Sequence, residues 1–323
     1  MPIIQQTTVS PTFKSSIWRP YIQSGVFLVG APRCGTTALS RALTRNPQIC
    51  FSKPKETHFF TRILPDRSTR ELKEIYLRMF FRHLHTEHKV IADGSVSYLY
   101  SPDAIRKILE FDPNAKFIVM VRNPVDMIYS YHARLLFTMD ENVTDFPTAW
   151  NLQEARSQGE HIPKRCRDPR LLQYTEVGSL GKHVNKLFKT AGREKCFVIV
   201  FDDFVNDPIK VYKDVLNFIE VDYDGRTKLP QKNQNRSFKK TWLQQFVMNP
   251  PKILVRIIEK RQLQGKDWLA YLRPIRKYIK KINKVEIKRE LLSEEMRKTL
   301  RATFTSDIDK LAGLLNRNFD HWR

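Results

Sequence analysis

The run Gly25-Val26-Phe27-Leu28-Val29-Gly30-Ala31-Pro32-Arg33-Cys34-Gly35-Thr36-Thr37-Ala38-Leu39 decides the fold. Gly25–Val29 is a short, unbroken apolar stretch, suited to a strand buried on both faces of a parallel sheet. A Gly/Pro loop follows, and a helix is predicted from about Thr36, with Leu39, Ala42 and Leu43 turned inward. Strand, glycine loop and helix start together form a general anion-binding device, because outward N–H groups and the helix dipole both favour negative charge. The spacing here is Gly30-x4-Gly35-Thr36-Thr37. The nucleotide triphosphatase loop carries Lys after its second Gly; this chain carries Thr36 there, and its basic residue is Arg33, inside the loop. The loop therefore reads as built for phosphate, though not for the β- and γ-phosphates of a magnesium nucleotide. The competing reading is an ordinary strand-to-helix turn. Gly-x4-Gly alone favours that turn, whereas the full run directly after a strand favours phosphate.

Outward from this stretch, apolar strands and helical segments alternate. Lys89–Ala92 reads as a strand, Pro102–Leu109 as a helix, Lys116–Val121 as a strong strand, Leu171–Lys189 as an interrupted amphipathic helix, Cys196–Phe201 as a strand and Pro208–Ile219 as a helix. Such alternation predicts an α/β fold: a P-loop-type three-layer sandwich whose central, mostly parallel sheet of near five strands is flanked by helices. No linker rich in Gly or Ser divides the chain, so residues 1–323 are expected to form one domain, with an N-terminal extension over 1–24 and a helical, basic part over 239–323. In that last part the strand signal stops, and Ser293 is the expected N-cap of a helix reaching Leu315.

A second phosphate-like motif is Val121-Arg122-Asn123-Pro124-Val125-Asp126-Met127-Ile128-Tyr129-Ser130. Asn as N-cap and Pro at the first helical position mark a helix start. That places Arg122 at the carboxyl end of a strand, where open α/β sheets bind ligands, and Ser130 about two turns into the helix. An Arg and a hydroxyl so placed can grip one phosphate with charge-assisted bonds. The alternative for this pair taken alone is an Arg on a structural carboxylate and a Ser in a helix interior.

The loop from Val29 to Leu39 resembles the 5′-phosphosulfate loop of sulfotransferases that use 3′-phosphoadenosine-5′-phosphosulfate (PAPS), in the branch of the heparan sulfate N- and 3-O-sulfotransferases and their bacterial relatives. The segment from Arg122 to Ser130 resembles that family's 3′-phosphate motif, with Met127 in place of a second Arg. The resemblance implies that Arg33, Cys34, Gly35, Thr36 and Thr37 hold the phosphosulfate, that Arg122 and Ser130 hold the 3′-phosphate, and that no metal is needed. It also implies sulfuryl transfer to a hydroxyl or amine of an acceptor, such as an acidic glycan or a glycolipid. Phe197–Pro208 and the terminal Asn318-Phe319-Asp320-His321-Trp322 resemble later parts of the family. Asp93-Gly94-Ser95-Val96-Ser97-Tyr98 lacks the family's Lys, Gly178-Ser179-Leu180 lacks its Tyr, and Gln231–Lys240 has no counterpart of the cysteine pair near the family's C-terminal substrate loop.

Lys53-Pro54-Lys55-Glu56-Thr57-His58-Phe59-Phe60 resembles the segment whose Glu deprotonates the acceptor, which implies Glu56 as base, with Arg33 stabilising the leaving phosphate. His58 is the rival base, since a histidine titrates nearer neutrality. In an extended segment residues 56 and 58 would point to opposite sides, so only one is expected to face the acceptor. The alternative for Glu56 is an ion pair with Lys53 or Lys55.

Composition agrees with a packed enzyme and a polyanionic partner. The 323 residues are 41% hydrophobic, and 56 Lys/Arg against 34 Asp/Glu leave a charge of +22. Lys252–Arg289 alone holds thirteen basic and three acidic residues, a net of +10, interleaved with Trp268, Tyr271 and Leu272. It is expected to be helical and either to hold an anionic acceptor or membrane surface or to serve as a solvated face. No signal peptide or apolar span of about 20 residues is visible, so a soluble, cytoplasmic protein with at most peripheral membrane contact is expected. Cys34, Cys50, Cys166 and Cys196 lack metal-ligand spacing and read as free thiols. A P-loop small-molecule kinase and a non-enzymatic basic protein on membrane or nucleic acid are the rival classes. The missing lysine opposes the first, and two phosphate motifs at strand ends oppose the second; no nucleic-acid signature is present, so none is expected as partner.

Overall fold

In the computed structural model, residues 24–61, 68–229, 278, 282–283 and 290–323 are described, together with the backbone of 236–238 and 284–286. The chain order is β1 (Gly25–Gly30), α1 (Thr36–Leu43), β2 (Ile49–Phe51), α2 (Thr69–Phe80), β3 (Val90–Asp93), α3 (Pro102–Phe111), β4 (Lys116–Val121) and α4 (Pro124–Thr138). It continues through α5 (Phe146–Asn151), α6 (Gln153–Ser157), α7 (Tyr174–Gly178), α8 (Leu180–Ala191), β5 (Cys196–Val200), α9 (Phe201–Asn206), α10 (Pro208–Phe218), β6 (Arg236–Phe238), β7 (Lys284–Glu286) and α11 (Glu294–Leu315).

β1 to β5 form one sheet in the order β2-β3-β1-β4-β5 with every pairing parallel. All six residues of β1 are buried, as are the last five of β4. Burial without alternation means that both faces of the sheet are covered, and it explains why these strands read as continuous apolar runs. After β1 the chain runs to the edge strand β2, steps back to β3 beside β1, then crosses β1 to place β4 on its other side. The sheet therefore reverses direction between β1 and β4, and at such a switch point the two following loops diverge and leave a crevice at the carboxyl ends of the strands. The loop Gly30–Gly35 and residue Arg122 lie at that crevice.

Several sequence readings are corrected. The interruption expected within Leu171–Lys189 falls at Ser179, after Gly178, and divides α7 from α8; the helical segment begins at Tyr174, Leu171 and Leu172 lying in a preceding 3₁₀ turn. β2, three residues long, was not anticipated. Phe201 opens α9 rather than closing β5. Beyond residue 238 the strand signal does not end: β7 pairs antiparallel with β6, Ser237 opposite Val285, so part of Lys252–Arg289 is strand. The remainder of that segment, apart from Tyr278, Ile282 and Asn283, lies outside the described residues. The expected last helix is α11, capped by Ser293 Oγ on Met296 N–H. No described helix is long and apolar enough to cross a membrane.

The chain leaving α4 is fixed by a wholly buried ion pair. Arg156 donates through both Nη atoms to the Glu141 carboxylate at 2.8 Å, and Tyr174 donates its hydroxyl to the same group at 2.6 Å. Burial alone would raise the Glu141 pKa, but these bonds and the N–H of Val143 outweigh it and hold the carboxyl below the usual range. Removing one partner of such a pair strands the other charge in the core. Glu141→Ala is expected to lose about 3–5 kcal/mol of stability in denaturant unfolding at neutral pH. Because the folded value is depressed, this contribution is complete above the unfolded glutamate value of about 4.3 and disappears only as pH falls through the lower folded value. An unfolding midpoint equal to wild type at pH 7 would contradict this.

Candidate functional site

The phosphate loop is shaped by its neighbours. Ala31 N–H donates to Met120 O at 2.8 Å, which ties the loop to β4. Gly35 adopts φ +93°, and a Cβ there would lie 3.1 Å from Met120 Cε and 3.2 Å from the Phe201 ring. Only glycine meets both conditions, and the turn it makes delivers the first N–H groups of α1 to the crevice.

Those N–H groups are distinctive in this chain. Of the described helices with eight or more residues, α2, α3, α4, α10 and α11 are capped by Ser68, Ser101, Asn123, Asp207 and Ser293. α8 receives the Asp307 carboxylate on the N–H groups of Gly181 and Lys182, at 2.7 and 2.8 Å. α1 alone has no side-chain cap, since Gly35 brings none. A helix start that the protein does not satisfy itself is satisfied by water or by an anion.

The basic residues expected at the two phosphate motifs are brought together. Arg33 Nε donates to Ser130 Oγ at 2.8 Å, across 97 residues of sequence. Arg122 Nη1 donates to Arg33 O at 3.4 Å, and its guanidinium lies 4.7 Å from the centroid of Phe201. Arg33, Gly35, Arg122 and Ser130 are half-buried and Thr37 is exposed. Thr36 is buried, so at this surface it has mainly its N–H to offer. Cys34 is wholly buried, and burial pushes its thiol up to about 12 against the pull of Arg122 and Arg33. Its place in the expected ligand set thus reduces to its backbone. Met127, which stands where the resembling motif has Arg, is also wholly buried; that face of α4 looks into the core.

Glu56 and His58 sit after β2, on the same carboxyl edge of the sheet. The extended geometry expected for them is not found. Both have left-handed backbones, with φ 66° and 51°, and their side chains come together instead of diverging: His58 Nε2 is 3.8 Å from Glu56 Oε2. Glu56 also pairs with Lys55 Nζ at 2.5 Å and accepts from Val96 N–H at 3.0 Å. The ion pair and the exposed carboxylate therefore coexist, with Glu56 about one-third open. His58 Nδ1 shares a hydrogen bond of 2.7 Å with Ser97 Oγ. Lys55 runs over Gly94, where a Cβ would meet its Cε at 3.0 Å. The position that lacks the family's Lys is thus covered by a lysine from another segment.

The two groups share a wall. A Cβ on Gly30, at the start of the phosphate loop, would lie 2.8 Å from Leu99, in the turn that follows Ser97. Phe201, Ser97 and Asp93 had no assigned role in the sequence, whereas Lys55 is one of the two expected ion-pair partners of Glu56. Asp93 and Ser97 stood within a quoted motif, and Phe201 was masked by its apolar neighbours.

A family model described as "Sulfotransferase domain" matches residues 23–300. Human carbohydrate sulfotransferase 15 is 27% identical, covering 32% of this chain and 26% of that protein. The bifunctional heparan sulfate N-deacetylase/N-sulfotransferase 3 of Mus musculus is also 27% identical, covering 44% of this chain and 17% of that one. The chain thus spans about a quarter or less of the length of these curated relatives. In three dimensions a sulfotransferase from Alicyclobacillus acidocaldarius superposes with a TM-score of 0.63 at 24% identity, over 93% of this chain and 99% of that one, and so has the same fold. With the family model matching most of its length, the chain belongs to the sulfotransferase domain family.

Proposed function

We propose that this protein transfers a sulfuryl group from PAPS to a hydroxyl or amine of a glycan-type acceptor. The observation that carries the reading is the uncapped start of α1 beside Arg33, Arg122 and Ser130 at the β1/β4 switch point. These residues fit a nucleotide with phosphates at both ends: N–H groups of α1 and Arg33 for the 5′ side, Arg122 and Ser130 for the 3′ side. When bound, PAPS supplies the sulfuryl group and leaves as 3′-phosphoadenosine-5′-phosphate (PAP). The carbohydrate and heparan sulfate relatives support a glycan acceptor, as does the charge of +22.

The chain's own residues divide the work. The acceptor oxygen or nitrogen bonds to sulfur as the bond from sulfur to the leaving phosphate breaks, and the acceptor proton must go to a base in the same step. Glu56 Oε2 is that base: it is fixed by Val96 N–H on a side chain about one-third open to solvent, while Lys55 holds the other oxygen. His58, held by Ser97, orients beside it and can share the proton. Arg33 and the α1 N–H groups meet the charge growing on the leaving phosphate with fixed positive charge and dipole.

Arg122→Ala is expected to weaken PAP binding by at least about 2 kcal/mol in calorimetry without added metal, as for loss of a charge-assisted pair. Unchanged affinity, or ATP with Mg²⁺ binding more tightly than PAP, would reject the nucleotide assignment. With labelled PAPS and a panel of glycan, glycolipid and small-alcohol acceptors, Glu56→Gln should lower kcat by about 10²–10⁴ with PAP affinity intact. A near wild-type Glu56→Gln beside a dead His58→Ala would make His58 the base.

A further inference from the structure

Asp93 ends β3 and is 1% exposed. Four hydroxyls donate to its carboxylate: Thr57 at 2.6 Å, Tyr76 and Tyr98 each at 2.9 Å on one oxygen, and Ser95 at 3.0 Å on the other. No described cation pairs with it. A carboxylate sunk in a core costs desolvation free energy that hydroxyls only partly return; accordingly burial raises its pKa and the hydroxyl bonds pull it part of the way back. Packing among Phe59, Phe60 and Tyr76 has no need of such a group.

The geometry around it shows what it does hold. Each residue of the segment 56–58 is fastened to the stretch leaving β3. Glu56 N–H donates to Gly94 O at 3.1 Å, and its carboxylate takes Val96 N–H. The Thr57 side chain goes to Asp93. His58 N–H donates to Ser95 Oγ at 3.0 Å, the same hydroxyl that donates to Asp93. Two left-handed non-glycine residues flank Thr57, a backbone that persists only when its surroundings over-determine it.

We infer that Asp93 is a positioning residue for sulfuryl transfer: through Thr57 and Ser95 it clamps the segment 56–58 in its left-handed form and so aims Glu56 and His58 together at the acceptor. The inference rests on the reading of Glu56 as base.

Asp93→Asn removes the clamp but disturbs four partners at once, so the decisive variant is Thr57→Val, which deletes one hydroxyl and keeps the shape. The full chain is examined by ¹⁵N-histidine NMR of the His58 ring, assigned with His58→Gln, and by kcat with labelled PAPS and desulfated heparan chains. Thr57→Val is expected to shift the His58 ring resonances and to lower kcat by about 10²-fold, as for a small misplacement of a reacting group, with PAP affinity within about twofold of wild type. Thr57→Ser restores both. Asp207→Ala, which uncaps α10 far from this cluster, lowers the melting temperature but moves neither. A Thr57→Val protein with wild-type His58 resonances, or one that Thr57→Ser fails to rescue, overturns the inference. An inactive Glu56→Gln beside a fully active Thr57→Val rejects the clamp alone, whereas an active Glu56→Gln rejects the base.

Discussion

The parallel pairing of β1 with β4 is the constraint on which the site depends. It sets the two loops that leave these strands side by side at the point where the sheet changes direction, and it brings Arg33 and Ser130 into hydrogen-bond contact although nearly a hundred residues separate them. A loop at that point is asked to do two things. It must turn tightly enough to start α1, and it must leave the helix's first N–H groups open. Gly35 does both, with a left-handed φ and no side chain to use as a cap. At every other described helix start of eight or more residues the protein spends a hydroxyl, carboxylate or amide side chain, so α1 is the exception among the described helices, as an anion-binding start requires.

The chemistry of the acceptor side rests on a different device. Glu56 and His58 lie next to the phosphate half because Gly30 packs against Leu99, so the turn carrying Ser97 and Tyr98 abuts the phosphate loop directly. The Glu56 carboxylate, held by one lysine and one N–H with a histidine 3.8 Å away, has few degrees of freedom left. Positioning of this kind, together with fixed charge on the leaving group, is how transfers between oxygen atoms are accelerated when little covalent work falls to the protein.

Local features of the site were legible in the sequence, and features created by folding were not. The anion loop and the Asn-Pro helix start are written in consecutive residues, so Arg33, Gly35, Thr36, Thr37 and Arg122 could be placed at strand ends before any contact was known. The sheet class followed from alternating strands and helices, because strands buried on both faces carry no polar interruptions. β2 escaped because Ile49-Cys50-Phe51 is too short for any period to show, and β7 because its pairing partner is more than forty residues away. The orientation of Glu56 and His58 was misjudged for a related reason: their φ values are imposed by Asp93, Gly94 and Ser95 from the neighbouring strand, and nothing in Lys53–His58 itself announces a left-handed backbone. Cys34 and Met127 sit within motifs yet face the core, a distinction between backbone and side-chain roles that a motif does not carry.

The central claim is that one nucleotide spans the β1/β4 crevice with a phosphate at each end. A crystal structure of the chain with PAP tests it directly. The account predicts the 5′-phosphate on the N–H groups of Gly35, Thr36 and Thr37 beside Arg33, and the 3′-phosphate within hydrogen-bond distance of Arg122 and Ser130. A 3′-phosphate held elsewhere, with Arg122 and Ser130 untouched, would contradict it.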